Sequence, residues 1–218
     1  MIATIRRFML IGAMESEEMR LTVNDLSASR GGRTIFENVG FDLSGGQGLL
    51  VTGPNGAGKS TLLRAIAGYL PVDRGFAAVL PENEPVSAHA HYLNFNNAMK
   101  AALTVFENLE FHQQFGGQAA IAVEEALNNV GLLHLRDNRF GDLSTGQRRR
   151  VALARLLLNH RPIWLVDEPT TGLDKASEQT FARILDDHMQ AGGIVVAATH
   201  LPINVAGLKS LRFEEEVV

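Results

Sequence analysis

The sequence predicts an α/β fold: a mostly parallel sheet covered by helices on both faces, with antiparallel β structure ahead of it and an α-helical subdomain. Three observations carry that prediction. The runs "GLLVTG" (48–53), "PIWLVDEP" (162–169) and "IVVAATH" (194–200) are short, apolar and bounded, as strands buried on both faces are. Amphipathic stretches at helical spacing separate them, the alternation expected of a parallel sheet. A glycine-rich loop joins the first run directly to a helix.

The elements follow in order. Residues 1–19 read as a disordered tail or a start placed too early; Arg6 and Arg7 before a brief apolar run imitate a signal peptide, but acidic residues follow it. The fold is expected to span 20–218 as a single domain. Residues 20–51 read as β structure, with a turn at Gly31-Gly32 and apolar Phe36, Val39, Phe41 and Leu43 after it. "KSTLLRAIAGYLP" (59–71) reads as a helix stopped by Gly68 and Pro71. Residues 72–97 are ambiguous, short strands and loops. From 98 to 158 the pattern is helical, clearest in "TVFENLEFHQQF" and "AIAVEEALNNVGLLHL", and defines the helical subdomain. "KASEQTFARILDDHMQAGG" reads as an amphipathic helix ended by glycines.

Composition narrows the function. The chain has 218 residues, 45% of them apolar, a net charge of −4 and no cysteine. Disulfides and thiolate metal sites are excluded, no apolar run reaches the length of a membrane span, and there is no general nucleic-acid footprint.

"GPNGAGKST" fits G-x-x-x-x-G-K-[ST] between a strand and a helix, the context that makes it a phosphate-binding loop. Gly53, Pro54, Asn55, Gly56, Ala57, Gly58, Lys59, Ser60 and Thr61 are the candidate ATP-binding residues. Backbone N–H groups and the helix amino terminus suit anionic phosphates. Lys59 is expected at the β and γ phosphates, and Ser60 on Mg²⁺. In "IWLVDEP", Asp167 and Glu168 stand at the carboxyl end of a buried strand, where ligands sit in open α/β sheets. Asp167 is expected to hold Mg²⁺ and Glu168 to polarise the attacking water. His200 follows the next buried strand and is the candidate γ-phosphate contact. Asp174, just before a helix, reads either as a helix cap or as part of the site.

The chain contains two similar motifs, "LSGGQ" at 43–47 and "LSTGQ" at 143–147. The first runs straight into a strand and the phosphate loop, so its glycines make a turn. The second opens "RRRVALARLLL", where Val151, Ala154, Leu157 and Leu158 form an apolar stripe and Arg148 and Arg149 lie off it. Ser144, Thr145, Gly146 and Gln147 then stand at a helix amino terminus, an anion site, and the second copy is the functional one. The arginines themselves read as a solvated helix turn rather than a nucleic-acid contact.

Together "GPNGAGKST", "LSTGQ", "WLVDEP", "GLD" and "TH", in this order, resemble the nucleotide-binding subunit of an ABC transporter over nearly all of the chain after Arg20. The resemblance implies an ABC ATPase core within the P-loop NTPase class. It implies a head-to-tail dimer in which Ser144–Gln147 of one copy close on ATP held by the other, with Asp174 in the loop that communicates across the dimer. It also implies integral membrane subunits as partners, on the cytoplasmic face of the bacterial inner membrane. More narrowly, "RTIFENVGFDL", "LTVFENLEF", "LSTGQRRRVALARLLL" and "GGIVVAATHLPINVAGLKSLR" are similar to the ATP-binding subunit of the cytochrome c maturation system, the haem exporter ATPase (CcmA) family. That resemblance implies ATP hydrolysis coupled to haem export or delivery. No haem ligand pattern is present, so no haem is expected on this chain. The competing readings are an ATPase subunit of another small importer or exporter, and a soluble ABC ATPase acting on nucleic acid or ribosomes.

Two departures from the family pattern stand out. "HYLNFNNAMKAALTV" lacks the glutamine usual in the loop before the helical subdomain; Phe95 stands about there, with Asn94, Asn96 and Asn97 beside it. Arg30 in "SASRGG" replaces the usual adenine-stacking aromatic; a guanidinium can also stack on a base.

Overall fold

The computed structural model describes residues 19–94, 97–200, 205 and 207–213. The reading of the amino-terminal tail, except at Met19, and that of Phe95 and Asn96, lies outside the described residues. Two sheets organise the chain. Strands β1 (Arg20–Arg30), β2 (Arg33–Ser44), β4 (Arg74–Leu80) and β5 (Glu84–Pro85) form an antiparallel sheet in the order β2-β1-β4-β5. Strands β3 (Gly48–Thr52), β6 (Ala90–Leu93), β7 (Ile163–Asp167), β8 (Ile194–Ala198) and β9 (Leu208–Arg212) form a parallel sheet in the order β6-β7-β8-β3-β9. The ambiguous stretch 72–97 thus supplies two strands to the first sheet, one to the second, and the short helix α2 (Val86–His89).

Alternation along the buried strands divides two cores. Ile163, Leu165, Ile194, Val196 and Ala198 face a core shared with helix α1 (Lys59–Ile66) and the antiparallel sheet. Trp164, Val166, Val195 and Ala197 face the other core, formed with α3 (Val105–Phe115), α4 (Val123–Asn129), α5 (Thr145–Leu158) and α6 (Lys175–Gln190). Leu62 and Leu63 of α1 are fully buried, each contributing about 1.5–3 kcal/mol of transfer free energy.

Helix ends follow local chemistry. Thr104 with Glu107, and Ser144 with Gln147, form capping boxes at the starts of α3 and α5. α1 ends at Gly68 (φ +74), whose N–H donates to the Ala65 carbonyl while that of Tyr69 reaches Arg64. The same geometry cuts "AIAVEEALNNVGLLHL", which does not form one helix. Gly131 takes φ +69, Leu132 N–H donates to Leu127, and only Val123–Asn129 remain α-helical, with a 3₁₀ turn at Leu133–Leu135. The apolar stripe expected on α5 is also too narrow. Arg149, Val151, Ala152, Leu153, Ala154, Leu156 and Leu158 are all buried, because α5 packs against α3, α4 and β6 at once. Among the described residues no helix is long and apolar enough to cross a membrane.

Candidate active site

The site lies at the carboxyl ends of β3, β7 and β8. The loop after β3 needs its glycines: Gly53, Gly56 and Gly58 have φ of +145, +89 and +99. A Cβ on Gly53 would lie 2.5 Å from the Phe213 carbonyl oxygen, and one on Gly58 2.6 Å from an Ile35 methyl. Pro54, Asn55 and Gly56 are at the crest and exposed, while Gly58 and Lys59 are buried. Ala57 donates its N–H to the Pro54 carbonyl, and Ser60 and Thr61 lie in the first turn of α1. The Lys59 ammonium donates to the carbonyls of Gly53 at 2.7 Å and Pro54 at 2.8 Å, and stands 4.0 Å from Glu168 Oε1. A cation is therefore held inside the loop, at a helix amino terminus, which is what a polyphosphate requires.

Ser60 Oγ donates to Asp167 Oδ1 at 2.9 Å. Burial pushes the Asp167 carboxyl above the usual range; the Ser60 hydrogen bond opposes this and the Glu168 charge adds to it. Such a carboxylate gains from a nearby cation. A serine hydroxyl and one carboxylate are oxygen donors of the kind Mg²⁺ uses when substrate phosphates and water complete its shell, so the residues fit that ion. Glu168 has φ +46, its N–H donates to the Ala198 carbonyl at 2.7 Å, and its Oε2 pairs with His200 Nδ1 at 2.9 Å.

Ser144–Gln147 and Asp174 form a second group. Gln147 N–H donates to Ser144 Oγ at 3.3 Å, and the Ser144 N–H donates to Gln147 Oε1 at 2.8 Å. Ser144 and Thr145 are exposed. Gly146 packs on the turn before α6: a Cβ there would lie 3.0 Å from the Gly172 carbonyl oxygen. Asp174 caps α6, accepting from Ser177 N–H at 2.8 Å, a hydrogen bond that also lowers its pKa. Among the described residues no hydrogen bond joins Ser144–Gln147 or Asp174 to Lys59, Ser60, Asp167 or Glu168.

The other motif copy sits at the opposite end of the parallel strands. Gly46 N–H donates to Gly193 and Val195 N–H to Gln47, so the segment seals the amino ends of β3 and β8. Strand β3, with five residues, places it roughly 17 Å from the phosphate loop.

Sequence reasoning missed Arg149. Rather than lying off the packed face, its guanidinium is buried against the end of β7, with hydrogen bonds to the Asp167, Glu168 and Pro169 carbonyls. Burial lowers its pKa to about 10, and the Asp167 charge acts the other way. Its place in the helix that Ser144 caps was the available signal.

A family model described as "ABC transporter" matches residues 36–171. The cytochrome c biogenesis ATP-binding export protein CcmA of Mesorhizobium japonicum is 54% identical over 194 residues, covering 87% of this chain and 96% of its own. The protein of the same description from Chelativorans is 53% identical, covering 89% of this chain and 98% of its own. Among solved structures, an ABC transporter ATP-binding protein from Pyrococcus furiosus aligns over 89% of this chain and 97% of its own, with a TM-score of 0.77 at 24% identity, a likeness of fold.

Proposed function

This chain belongs to the ABC transporter family and, within it, to the cytochrome c biogenesis ATP-binding export proteins, and from that premise we propose that it is the ATP-hydrolysing subunit of a complex that exports or delivers haem for c-type cytochrome maturation. The observation that carries the catalytic reading is one carboxylate, Glu168, held between Lys59 and His200 at the mouth of the phosphate loop.

In this reading residues 20–218 act as one ATP-binding domain, with 98–158 as its helical subdomain; the packing of α3, α4 and α5 on one another supports this. The loop from Gly53 to Thr61 wraps the triphosphate, and Lys59 turns from its carbonyl partners toward the β and γ phosphates. Ser60 and Asp167 hold Mg²⁺, which when bound neutralises charge developing on the phosphate oxygens. Glu168 orients and polarises the attacking water, while His200 fixes Glu168 and reaches the γ phosphate. Phosphoryl transfer needs positioning and charge stabilisation rather than a covalent intermediate, and these side chains supply both.

A second copy, bound head to tail, presents Ser144–Gln147 to the ATP of the first, and Asp174 lies at the contact between copies. The exposure of Ser144 and Thr145 at a capped helix amino terminus supports that role. Integral membrane subunits complete the complex, which places this chain peripherally on the cytoplasmic face of the inner membrane. Arg30, exposed at the end of β1, is available to stack on adenine.

Glu168→Gln tests the catalytic reading: it should abolish turnover, keep ATP binding and trap an ATP-bound dimer. Near-normal turnover would remove Glu168 from this role. Pull-down from detergent-solubilised membranes tests the finer one. Recovery of cytochrome c maturation subunits supports haem delivery; recovery of a different permease replaces it.

A further inference from the structure

None of the three arginines in the first turns of α5 has a part in the reaction proposed above, yet one of them is bound more completely than any other side chain at the site. Arg149 is 4% exposed. Its Nε donates to the Pro169 carbonyl at 3.1 Å, and its Nη2 to the carbonyls of Asp167 at 2.8 Å and Glu168 at 2.9 Å. Its Nη1 donates to the Asn94 carbonyl at 2.7 Å and to Asn97 Oδ1 at 3.0 Å. A guanidinium has five N–H donors in a rigid planar fork, so the set is saturated. The acceptors are four main-chain carbonyls and one side-chain amide, with no carboxylate among them. Burying a charge in this way is costly, and it makes sense where main chain must be held in a particular shape.

Glu168 is such a place. Its φ of +46 lies in the left-handed region, which a non-glycine residue keeps only where its surroundings hold it there. The residue is pinned at both ends: its N–H donates to Ala198 and its carbonyl accepts from Arg149. With both peptide planes fixed, its side chain leaves the main chain in the direction that brings it to Lys59 and His200. The same guanidinium plane grips the chain on both sides of residues 95 and 96, between β6 and α3.

We infer that Arg149 is a positioning residue for ATP hydrolysis: it holds Glu168 in its left-handed conformation and ties it to the segment between β6 and α3. The inference rests on the proposed role of Glu168. Arg149 does not touch the reacting atoms; it sets where the carboxylate stands, and a displacement of Asn94 or Asn97 passes to the Glu168 carbonyl through one rigid plane.

Two variants of the full chain, assayed with whatever membrane subunits copurify, test this. Arg149→Lys keeps the charge but offers three donors from one point and cannot serve all five acceptors. It should lower kcat on the order of tenfold to a hundredfold, as a misplaced catalytic group does, with KM and ATP affinity unchanged. Asn97→Gly removes one acceptor while tolerating the φ of +42 at that position, and should lower kcat by a smaller factor. In a Glu168→Gln background, where steady-state turnover is lost, Arg149→Lys should not slow the remaining single-turnover cleavage of bound ATP any further, because the side chain it positions is already disabled. Wild-type kcat in Arg149→Lys overturns the inference, as does an equal loss in the Glu168→Gln background. If Arg149→Lys does not fold, Asn97→Gly decides, and an unchanged kcat there overturns it. Normal turnover in Glu168→Gln alone is the distinct result that removes the catalytic reading beneath.

Discussion

Two half-buried imidazoles lie beside the segment that leads from α5 into β7, and the fold holds both neutral. His91, whose Nε2 lies 3.1 Å from the Asn159 carbonyl, has its pKa lowered to about 4 by burial; that hydrogen bond opposes the shift, and Arg155 and Arg161 add to it. His188 stacks on Trp164 at 3.8 Å and is also lowered to about 4, by burial and then by His160, against a raising contact with the Pro162 backbone. Arg183 and Asp187 line a cavity with His188. In the unfolded chain both rings titrate near ~6.5. Between pH 6.5 and 4 the unfolded state therefore binds more protons, and stability falls as pH falls through that window. At pH 5 each ring costs about 2 kcal/mol relative to pH 7, about 4 kcal/mol together. Asp167, with its raised pKa, works the other way and trims this figure. The loss is large against a total stability of about 5–15 kcal/mol. Urea melts at pH 7, 6 and 5, monitored by the fluorescence of Trp164, the one tryptophan in the chain, measure it directly. His188→Phe keeps a ring against Trp164 and should remove about half of the pH dependence. Equal stability at pH 7 and 5, or an unaltered pH dependence in His188→Phe, would refute the reasoning.

Two further outcomes are set by the geometry of the loops. Ser144→Arg should block ATP hydrolysis while leaving nucleotide affinity intact, because Ser144 is exposed and outside the phosphate loop; Ser44→Arg, at the far end of the parallel strands, should spare kcat in any variant that folds. Loss of turnover specific to Ser44→Arg would reverse the assignment of the two motifs. Gly53→Ala should weaken both folding and ATP binding, since the added methyl meets a carbonyl of the chain after β9 rather than a movable side chain; the strained backbone alone costs about 1–3 kcal/mol, and a melting temperature equal to wild type would contradict it.

Much of the site was legible because its signals are local. The phosphate loop announces itself by residue type at fixed spacing between a strand and a helix. The two LSxGQ copies were separable by the element each one opens: a buried strand after Gln47, a helix at Gln147. Capping at Ser144 and Asp174 depends on residues only three positions away. The break at Gly131 was missed although it too is local, since a glycine inside an apolar periodic stretch reads equally well as part of the helix.

Sequence alone determined the alternation of strands and helices, the phosphate loop, the acidic strand end and the different elements that the two LSxGQ copies open, because each depends on side-chain type and spacing along a few consecutive residues. Tertiary structure alone decided that β4 pairs with β1 rather than joining the parallel sheet, that α5 packs against α3, α4 and β6 at once, and that Arg149 serves the end of β7. In each case the deciding partner lies tens of residues away: Phe76 opposite Asn24, Leu93 packed in the core of α5, Asn94 and Glu168 at the two sides of one guanidinium. A charged residue in a run of three looks solvated until the fold brings five acceptors to it, and those acceptors are mostly backbone carbonyls, which no residue identity encodes.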